Sequence, residues 1–269
     1  MIMSIAHFSE ILRVKRYSQS TIDTYQSALK LVFNRFNKPI AEITESELHQ
    51  FVYDYIHLKK ISDSYQRQLI GAIKLYYKEV LKIEMNLQFL LPERRAKKLP
   101  TVLSKQEVKR IIDVIANKKH KAIIALLYSS GLRIGELLNL KIHEIDSDRM
   151  VIHIRLAKGG KDRLVPLSVN ALKLLRNYYK EYHPVKFLFE GKPMVPYSAT
   201  SVRSLLKRAA KKANVIKPFT PHDLRHSYAS HLLESGVDIR IIKELLGLEW
   251  WNKSEEDLGS IDEEEEKIL

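Results

Sequence analysis

Apolar side chains recur three and four positions apart through the first ninety residues, which is the spacing of amphipathic helices. The first such stretch includes Phe8, and each later stretch follows a residue that commonly caps a helix N-terminus. Thr44 is the strongest of these caps, because Glu47 three positions later completes a capping-box signature. The other candidate caps are Ser18 or Ser20 and Ser62. The pattern predicts four short helices that pack as a small bundle over residues 1–90.

The periodicity stops at residues 91–100, which contain two prolines and no regular apolar spacing. Such a segment is typical of a linker between domains. Its cationic side chains are suited to lying along a phosphate backbone. They are Arg94, Arg95, Lys97 and Lys98. We therefore predict a basic linker that takes part in polyanion binding.

The pattern after residue 100 combines helices with one pair of short strands. A capping-box signature at Ser104 and Glu107 opens the first helix, and the apolar run 122–128 predicts a buried second one. Two runs rich in β-branched residues surround a glycine-rich turn and predict a hairpin. These three segments are 151–156, 164–167 and 157–162. Further helices are predicted at 133–140, 168–182, 198–213, 221–236 and 238–247. The fold class is therefore α+β, mainly α with a small β-hairpin, and the second domain covers residues 101–248.

The net charge of the chain is +13, and its distribution is uneven. Residues 1–98 carry +6, residues 99–248 carry +14, and residues 249–269 carry −7. A body with a net charge of +20 attracts polyanions, and nucleic acid is the commonest of these. A solvated lysine-rich surface is the alternative explanation. We expect the acidic tail, residues 249–269, to be solvated and poorly ordered.

The composition also excludes several classes of chemistry and of location. The absence of cysteine excludes disulfides, thiolate catalysis and cysteine-ligated zinc. The N-terminus lacks the basic region and long apolar core of a signal peptide, and the longest apolar runs are too short to span a bilayer. We therefore expect a cytoplasmic protein without a membrane partner.

Two segments carry the candidate chemistry, and each places an arginine near the start of a predicted helix. Arg133 follows a glycine break at Gly131, whereas His222 and Arg225 lie three positions apart and share one helix face. An arginine fork donates paired hydrogen bonds to phosphate oxygens, and a helix N-terminus adds amide donors. Together with Lys158 from the glycine-rich turn, these side chains would hold a phosphodiester and neutralise the charge of its transition state without a metal.

Each of these residues also has an ordinary structural interpretation. An arginine such as Arg133 is more often a surface or salt-bridged residue, and a lysine such as Lys158 in a turn is usually only solvated. Glu136 is interpreted as structural in either case. Tyr228 lies on an apolar stripe of its helix, so we predict that it belongs to the core.

The histidines of the last segment suggest a metal-binding face, because His222 and His226 are four positions apart and His231 follows. However, the sequence between them lacks the glutamate of the metalloprotease pattern and offers no third ligand nearby. We therefore expect no metal site.

Taken together, these segments resemble the tyrosine recombinase, or phage integrase, family. The motifs Gly-Leu-Arg-x-Gly-Glu-Leu and Lys-Gly-x-Lys-x-Arg-x-Val-Pro-Leu occur in the family's order and with its approximate spacing. The matching segments are Gly131–Leu137, Lys158–Leu167, His222–Leu233 and Ile242–Gly247. The N-terminal pattern over Tyr17–Tyr25 is similar to the family's helical core-binding domain. The resemblance covers residues 8–247.

This resemblance implies a C-shaped clamp around double-stranded DNA, formed by a core-binding domain and a catalytic domain. It implies that Arg133 and Arg225 grip the scissile phosphate, that Lys158 acts as general acid for the leaving 5′-oxygen, and that His222 orients or deprotonates the attacking phenol. The family forms a 3′-phosphotyrosyl bond and needs neither a metal nor a small-molecule cofactor. We also expect DNA contacts from Lys161 and Arg163, and self-association into dimers or tetramers on DNA.

The sequence departs from the family after Gly247. Leu248 stands where the family has a histidine or a tryptophan, and Asp257 stands where its nucleophilic tyrosine is expected. All thirteen tyrosines lie at or before Tyr228, so we assign no nucleophile. A local shift that brings Trp250 or Trp251 to the phosphate is an alternative for the missing donor. The departure suggests a frameshift, a truncation or a fused foreign tail.

Two functional classes therefore remain open. One is a recombinase by descent that binds its DNA site but does not cleave alone. The other is a regulatory or architectural DNA-binding protein derived from an integrase. A tyrosine supplied in trans by another subunit is a third arrangement, and the sequence does not separate these cases.

Overall fold

The computed structural model describes residues 2–36, 38–93, 100–155 and 162–247. Its contacts divide the chain into two compact units, Met1–Lys97 and Lys98–Leu269, and each unit has its own apolar core. Helices dominate both units and the strands are short, which confirms the predicted α+β class. Within the described ranges, no helix combines the length and the apolar character needed to cross a membrane.

The first unit contains the four predicted helices. They are α1 (Ile2–Val14), α2 (Gln19–Arg35), α3 (Glu45–Lys59) and α4 (Asp63–Tyr76), and α4 continues into a π-helical turn over Tyr77–Leu81. Side-chain oxygens cap α2, α3 and α4 at their N-termini, as the sequence predicts. These caps are Ser18, Thr44 and Ser62.

Aromatic rings form the centre of this bundle. The ring of Tyr76 packs edge-on against Phe8 at 5.5 Å and against Phe33 at 5.3 Å between centroids. All three side chains are almost fully buried. Because aromatic pairs favour edge-to-face contact, this cluster fixes how α1, α2 and α4 pack.

The second unit surrounds a buried central helix. Its helices are α5 (Lys105–Asp113), α6 (Lys118–Ser129), α7 (Ile134–Asn139), α8 (Val169–Tyr182), α9 (Ala199–Lys212), α10 (Pro221–Glu234) and α11 (Ile239–Leu246). Of the run 122–128 that the sequence predicts to be buried, residues 122–127 on α6 are buried and Tyr128 is partly buried. Helices α7, α8, α9 and α10 all contact α6, so α6 is the common support of the unit.

Two small antiparallel sheets complete the second unit. The first contains β1 (Ile145–Asp146), β2 (Val151–Ile154) and β3 (Arg163–Pro166), in that order. Strands β2 and β3 pair as the predicted hairpin, with Ile152 opposite Val165. The second sheet pairs β4 (Glu190–Lys192) with β5 (Val195–Pro196).

The second sheet and β1 are absent from the sequence prediction. Their strands have only two or three residues, too few for an alternating pattern. Local hydrogen bonds fix the start of β4, because the buried carboxylate of Glu190 accepts the backbone N–H groups of Lys186 at 2.8 Å and Phe187 at 3.1 Å.

Candidate active site

The start of α10 is fixed by a reciprocal cap. The Thr220 hydroxyl accepts the backbone N–H of His222 at 3.2 Å, and the Asp223 carboxylate accepts the backbone N–H of Thr220 at 2.7 Å. Pro221 occupies the first helical position, where its missing N–H has no cost. The cap therefore sets the direction in which the first turn of α10 presents His222 and Arg225.

A second set of hydrogen bonds fixes α10 against the segment before α5. The Ser227 hydroxyl accepts the backbone N–H of Leu103 at 2.9 Å and donates to the backbone carbonyl of Asp223 at 2.7 Å. Ser227 is fully buried, so this bond satisfies a backbone donor that water does not reach. It ties α10 to the segment that precedes α5.

Arg133 is placed by a sharp turn between α6 and α7. Gly131 has a φ of +55°, in the left-handed region that favours glycine, and Arg133 then caps α7. Its backbone N–H donates to Glu136 Oε2 at 2.8 Å and its Nη1 donates to Glu136 Oε1 at 2.9 Å. The side chain of Arg133 remains 26% exposed.

The Glu136 carboxylate is the centre of the site, because three arginines surround it. Arg163 donates Nη1 to Oε1 at 3.0 Å and Nη2 to Oε2 at 2.8 Å. Arg225 Nη1 lies 4.0 Å from Oε2, and Arg133 binds as described above. Burial opposes the ionisation of Glu136, but the hydrogen bonds from Arg163 and Arg133 outweigh it and hold its pKa at about 2.

Arg163, for which the sequence predicts a DNA contact, lies inside the site. Its side chain is 8% exposed and both of its Nη atoms bind Glu136. Its Nε donates to the backbone carbonyl of Leu245 at 2.9 Å. Arg163 therefore joins β3, α7 and the end of α11 through its guanidinium.

The C-terminal end of α11 receives all three arginines. The carbonyl of Leu245 accepts from Arg163, that of Leu246 from Arg225, and that of Gly247 from Arg133 Nη2 at 3.1 Å. The last carbonyls of a helix lack partners within the helix and carry partial negative charge, so cations are favoured there. The three bonds fix where the chain leaves α11.

Arg225 is the most deeply buried of the three arginines, with 3% of its side chain exposed. Its Nη1 donates to the carbonyl of Gly131 at 2.6 Å, which links α10 to the turn before α7. Burial lowers the pKa of Arg225 to about 9, with Arg133 adding to the effect and Glu136 opposing it. Arg225 is therefore still charged at neutral pH, and three arginines against one carboxylate leave a net charge of +2.

His222 lies beside this charged cluster on the exposed side of α10. Partial burial lowers its pKa, and the nearby charges of Arg225 and Arg133 lower it further, with Asp223 opposing. A neutral imidazole at neutral pH is able to accept a proton. The ring of His226 packs edge-on against it at 4.5 Å between centroids. Among the described residues, no group of three potential ligands is placed to hold a metal ion.

Tyr228 packs inside the domain, as predicted. A Cβ atom added to Gly131 would lie 2.6 Å from Cδ1 of Tyr228, so the ring rests directly on the turn. The ring also contacts Tyr128 edge-on at 6.2 Å between centroids. Burial raises the pKa of the Tyr228 phenol, which disfavours the phenolate that a nucleophile would need.

Several predicted site residues lie outside the described ranges. They are Lys158 and Lys161 of the hairpin turn, Arg94, Arg95, Lys97 and Lys98 of the linker, and Leu248, Trp250, Trp251 and Asp257 after α11. The structure therefore brings together Arg133, His222 and Arg225, and the roles of the other residues stay predictions.

Comparison with known proteins identifies the chain. The profile of the phage integrase family matches residues 101–254, and the profile of the phage integrase N-terminal SAM-like domain matches residues 5–87. This chain belongs to the phage integrase family. It is 34% identical over 247 residues to the tyrosine recombinase XerA of Pyrococcus horikoshii, covering 90% of this chain and 84% of that protein. It is 30% identical over 259 residues to the tyrosine recombinase XerC of Xanthomonas campestris, covering 91% and 80%.

Solved structures agree with this assignment. The crystal structure of XerA recombinase is 31% identical to this integrase-family chain, with a TM-score of 0.53, and the match covers 91% of this chain and 89% of the other. A lambda integrase (75–356) dimer bound to a COC′ core site has a TM-score of 0.71 at 21% identity, covering 94% and 95%. At that identity the second match shows the fold alone.

The sequence prediction overlooked a cationic face of the second unit. Helix α9 buries Val202, Leu205 and Leu206 and exposes a row of cations on its opposite side. The exposed cations are Arg203, Lys207, Arg208, Lys211 and Lys212, and the helix contains no acidic residue. Helix α9 also contacts α7 and α10. The helical spacing of these cations in the sequence is the signal that would have found this face. A net charge does not show it, because it sums over all residues.

Proposed function

We propose that this chain is a DNA-binding member of the site-specific tyrosine recombinases that holds the scissile phosphate of duplex DNA with Arg133 and Arg225. The observation that carries the proposal is the arginine cluster with its net charge of +2. A cluster of cations around one small site suits an anion that carries charge on several oxygens. A phosphodiester is such an anion.

The chemistry of the neighbouring side chains supports the same substrate. Arg133 is partly exposed and reaches the surface beside the neutral ring of His222. His222 is suited to accept a proton from an attacking hydroxyl group, and Lys158, by the family motif, is suited to protonate the leaving oxygen. The arginines would stabilise the negative charge that builds on the phosphorus-bound oxygens.

The rest of the duplex would bind along the cationic row of α9. Arg203, Lys207 and Lys211 follow one another at four-residue intervals and are all exposed. Neutralising phosphates with such side chains releases condensed counterions, so binding should weaken steeply as salt rises. Self-association on DNA is part of this proposal, because lambda integrase has been solved as a tetramer bound to a Holliday junction.

The sequence after α11 supports the second part of the proposal, which is that this chain does not cleave DNA alone. The residues after Tyr228 include no tyrosine, and Asp257 occupies the position where the family resemblance places the nucleophile. A carboxylate there would repel the phosphate. The same observation favours the alternative of a regulatory or architectural DNA-binding protein, which binds DNA without the chemistry.

A trapping experiment tests both parts. A duplex that this chain binds is first selected from a random pool, and it is then nicked so that the cleaved strand diffuses away. We expect a salt-sensitive complex in gel shifts between roughly 50 and 200 mM salt, and no adduct on a denaturing gel. A chimera in which the residues from Leu248 onward are replaced by the matching segment of an active relative is the positive control.

The outcomes separate the alternatives. Failure of the unmodified chain to bind any duplex at low salt would refute the proposed function. A covalent adduct from the unmodified chain would show that one of its own residues is the nucleophile. An adduct from the chimera alone identifies a recombinase by descent, whereas a chimera that binds but stays inert favours the regulatory alternative.

A further inference from the structure

Arg163 is a buried cation that the proposed chemistry does not use. It stands at the start of β3, opposite Ile154 of β2, and it reaches both oxygens of Glu136 on α7. Its Nε binds the carbonyl of Leu245 at 2.9 Å near the end of α11. One side chain thus joins the hairpin, the helix that follows Arg133 and the helix end that receives all three arginines.

The backbone beside Arg163 is shaped to receive it. Gly247 has a φ of +58°, and a Cβ atom added there would lie 3.3 Å from Cδ and 3.4 Å from Nη1 of Arg163. Glycine thus lets the chain pass close to the guanidinium. The close contact between Gly247 and Arg163 therefore restricts where the guanidinium lies.

The hydrogen bonds of Glu136 show what Arg163 does there. A carboxylate offers about four lone-pair positions. Oε1 accepts from Arg163 Nη1 and Arg133 Nη1, and Oε2 accepts from Arg163 Nη2 and the Arg133 backbone N–H. Arg225 Nη1 stays 4.0 Å away and binds the carbonyl of Gly131 instead. Removal of Arg163 would open two of these positions with Arg225 as a charged neighbour.

We propose that Arg163 is a positioning residue that fills the Glu136 carboxylate and so keeps Arg225 on the carbonyls of Gly131 and Leu246, the position from which it would bind the phosphate. Without Arg163, Arg225 forms an ion pair with Glu136. The cluster then loses the positive charge of Arg163, and Arg225 loses its orientation. Arg163 itself makes no contact with DNA. This inference rests on the proposed function, because it assigns the phosphate to Arg133 and Arg225.

A double-mutant cycle in the full chain tests the inference. Arg163→Met removes the fork but keeps much of the side-chain volume, and Glu136→Gln removes the charge that would capture Arg225. The measurement is the affinity for a selected duplex and its salt dependence, with thermal unfolding as a check that each variant is folded. Arg163→Lys is the second variant, because its single ammonium group keeps the charge but does not span both carboxylate oxygens.

We expect Arg163→Met to weaken binding about tenfold, the effect of one charge-assisted hydrogen bond. In the Glu136→Gln background, the same change should weaken binding by no more than about threefold, because the capturing charge is gone. Arg163→Lys should give an intermediate loss. Neither substitution should alter the salt slope in the Glu136→Gln background, since Arg163 does not neutralise a phosphate.

Three results would overturn the inference while leaving the proposed function intact. The first is an equal loss from Arg163→Met in both backgrounds, which would make Arg163 a packing residue. The second is a salt slope reduced by about 0.9 in the Glu136→Gln background, which would make it a phosphate ligand. The third is wild-type affinity of Arg163→Met for the duplex. If Arg163→Met does not fold, the affinities of Arg163→Lys in the two backgrounds distinguish the same outcomes. A wild-type chain that fails to bind DNA refutes the proposed function and this inference together.

Discussion

Gly131 offers the sharpest test of the geometry, because backbone conformation and packing both exclude a side chain there. Its φ of +55° lies in the left-handed region. A Cβ atom would lie 2.6 Å from Cδ1 of Tyr228 and 2.7 Å from Cδ2 of Leu246, which is well inside normal contact distance. Its carbonyl also accepts Nη1 of Arg225 at 2.6 Å, so a shift of this turn reaches the site directly.

The expected cost of Gly131→Ala follows from these two effects. A left-handed conformation costs a residue with a Cβ about 1–2 kcal/mol, and insertion of a methyl group into a packed region costs about 1–3 kcal/mol. Alanine also restricts the unfolded chain more than glycine does, which stabilises the folded state by only about 0.4–1 kcal/mol. We therefore expect the free energy of unfolding to fall by about 3 kcal/mol. DNA affinity should fall as well, because the partner of Arg225 moves.

Two other glycines serve as matched controls in the same urea-unfolding experiment. Gly236 also has a positive φ, +81°, but a Cβ atom added there would meet nothing within 4 Å. Gly236→Ala should therefore show only the conformational cost, about 1 kcal/mol. Gly135 lies within α7 and has equally open surroundings. Gly135→Ala should raise the free energy of unfolding by about 0.5–1 kcal/mol, because alanine favours the helix.

The differences in the free energy of unfolding among the three variants test this reasoning. Equal losses at Gly131 and Gly236 would mean that the contacts with Tyr228 and Leu246 contribute nothing. A folded Gly131→Ala variant with wild-type stability would refute the placement of α10 and α11 against this turn. A stability loss without any loss of DNA affinity would show that the Gly131 carbonyl does not direct Arg225.

Three further predictions concern the same site. Arg133→Ala and Arg225→Ala should each weaken duplex binding by about 1.5–3 kcal/mol, and gel shifts of the double variant should show a loss smaller than the sum, because both hold one phosphate; strict additivity would contradict a shared ligand. Glu136 has a folded pKa of about 2 against an ordinary 4.5, so its contribution of about 3 kcal/mol is fully present above about pH 4.5 and is lost as the pH falls toward about 2. Urea unfolding of Glu136→Gln should show a weaker decline of stability in that acid range than wild type, and parallel declines would refute the assignment. Ser227→Ala should lower the free energy of unfolding by about 1–3 kcal/mol, because the backbone N–H of Leu103 is left buried without its acceptor; an unchanged urea midpoint would show that water replaces the hydroxyl.

Local signals in the sequence determined most of the secondary structure of this chain. The caps at Thr44, Ser104 and Thr220 start helices where the pattern placed them, because a cap depends only on residues within one turn. The apolar periodicity likewise identified the buried helix α6 and the β2–β3 hairpin. The order of the motifs was sufficient to indicate the family and to select Arg133, His222 and Arg225.

Only the tertiary structure decided how these residues work together. The carboxylate of Glu136 and the guanidinium of Arg163 are 27 positions apart in the chain, and no local pattern indicates that they form a buried pair. Arg163 therefore looked like a surface cation in the sequence, and the fold places it inside. The carbonyls at the end of α11 are backbone groups, present at every position, so their binding of three arginines has no sequence signal at all. Burial and long-range proximity give these groups their roles, and both properties arise only when α7, β3, α10 and α11 pack together.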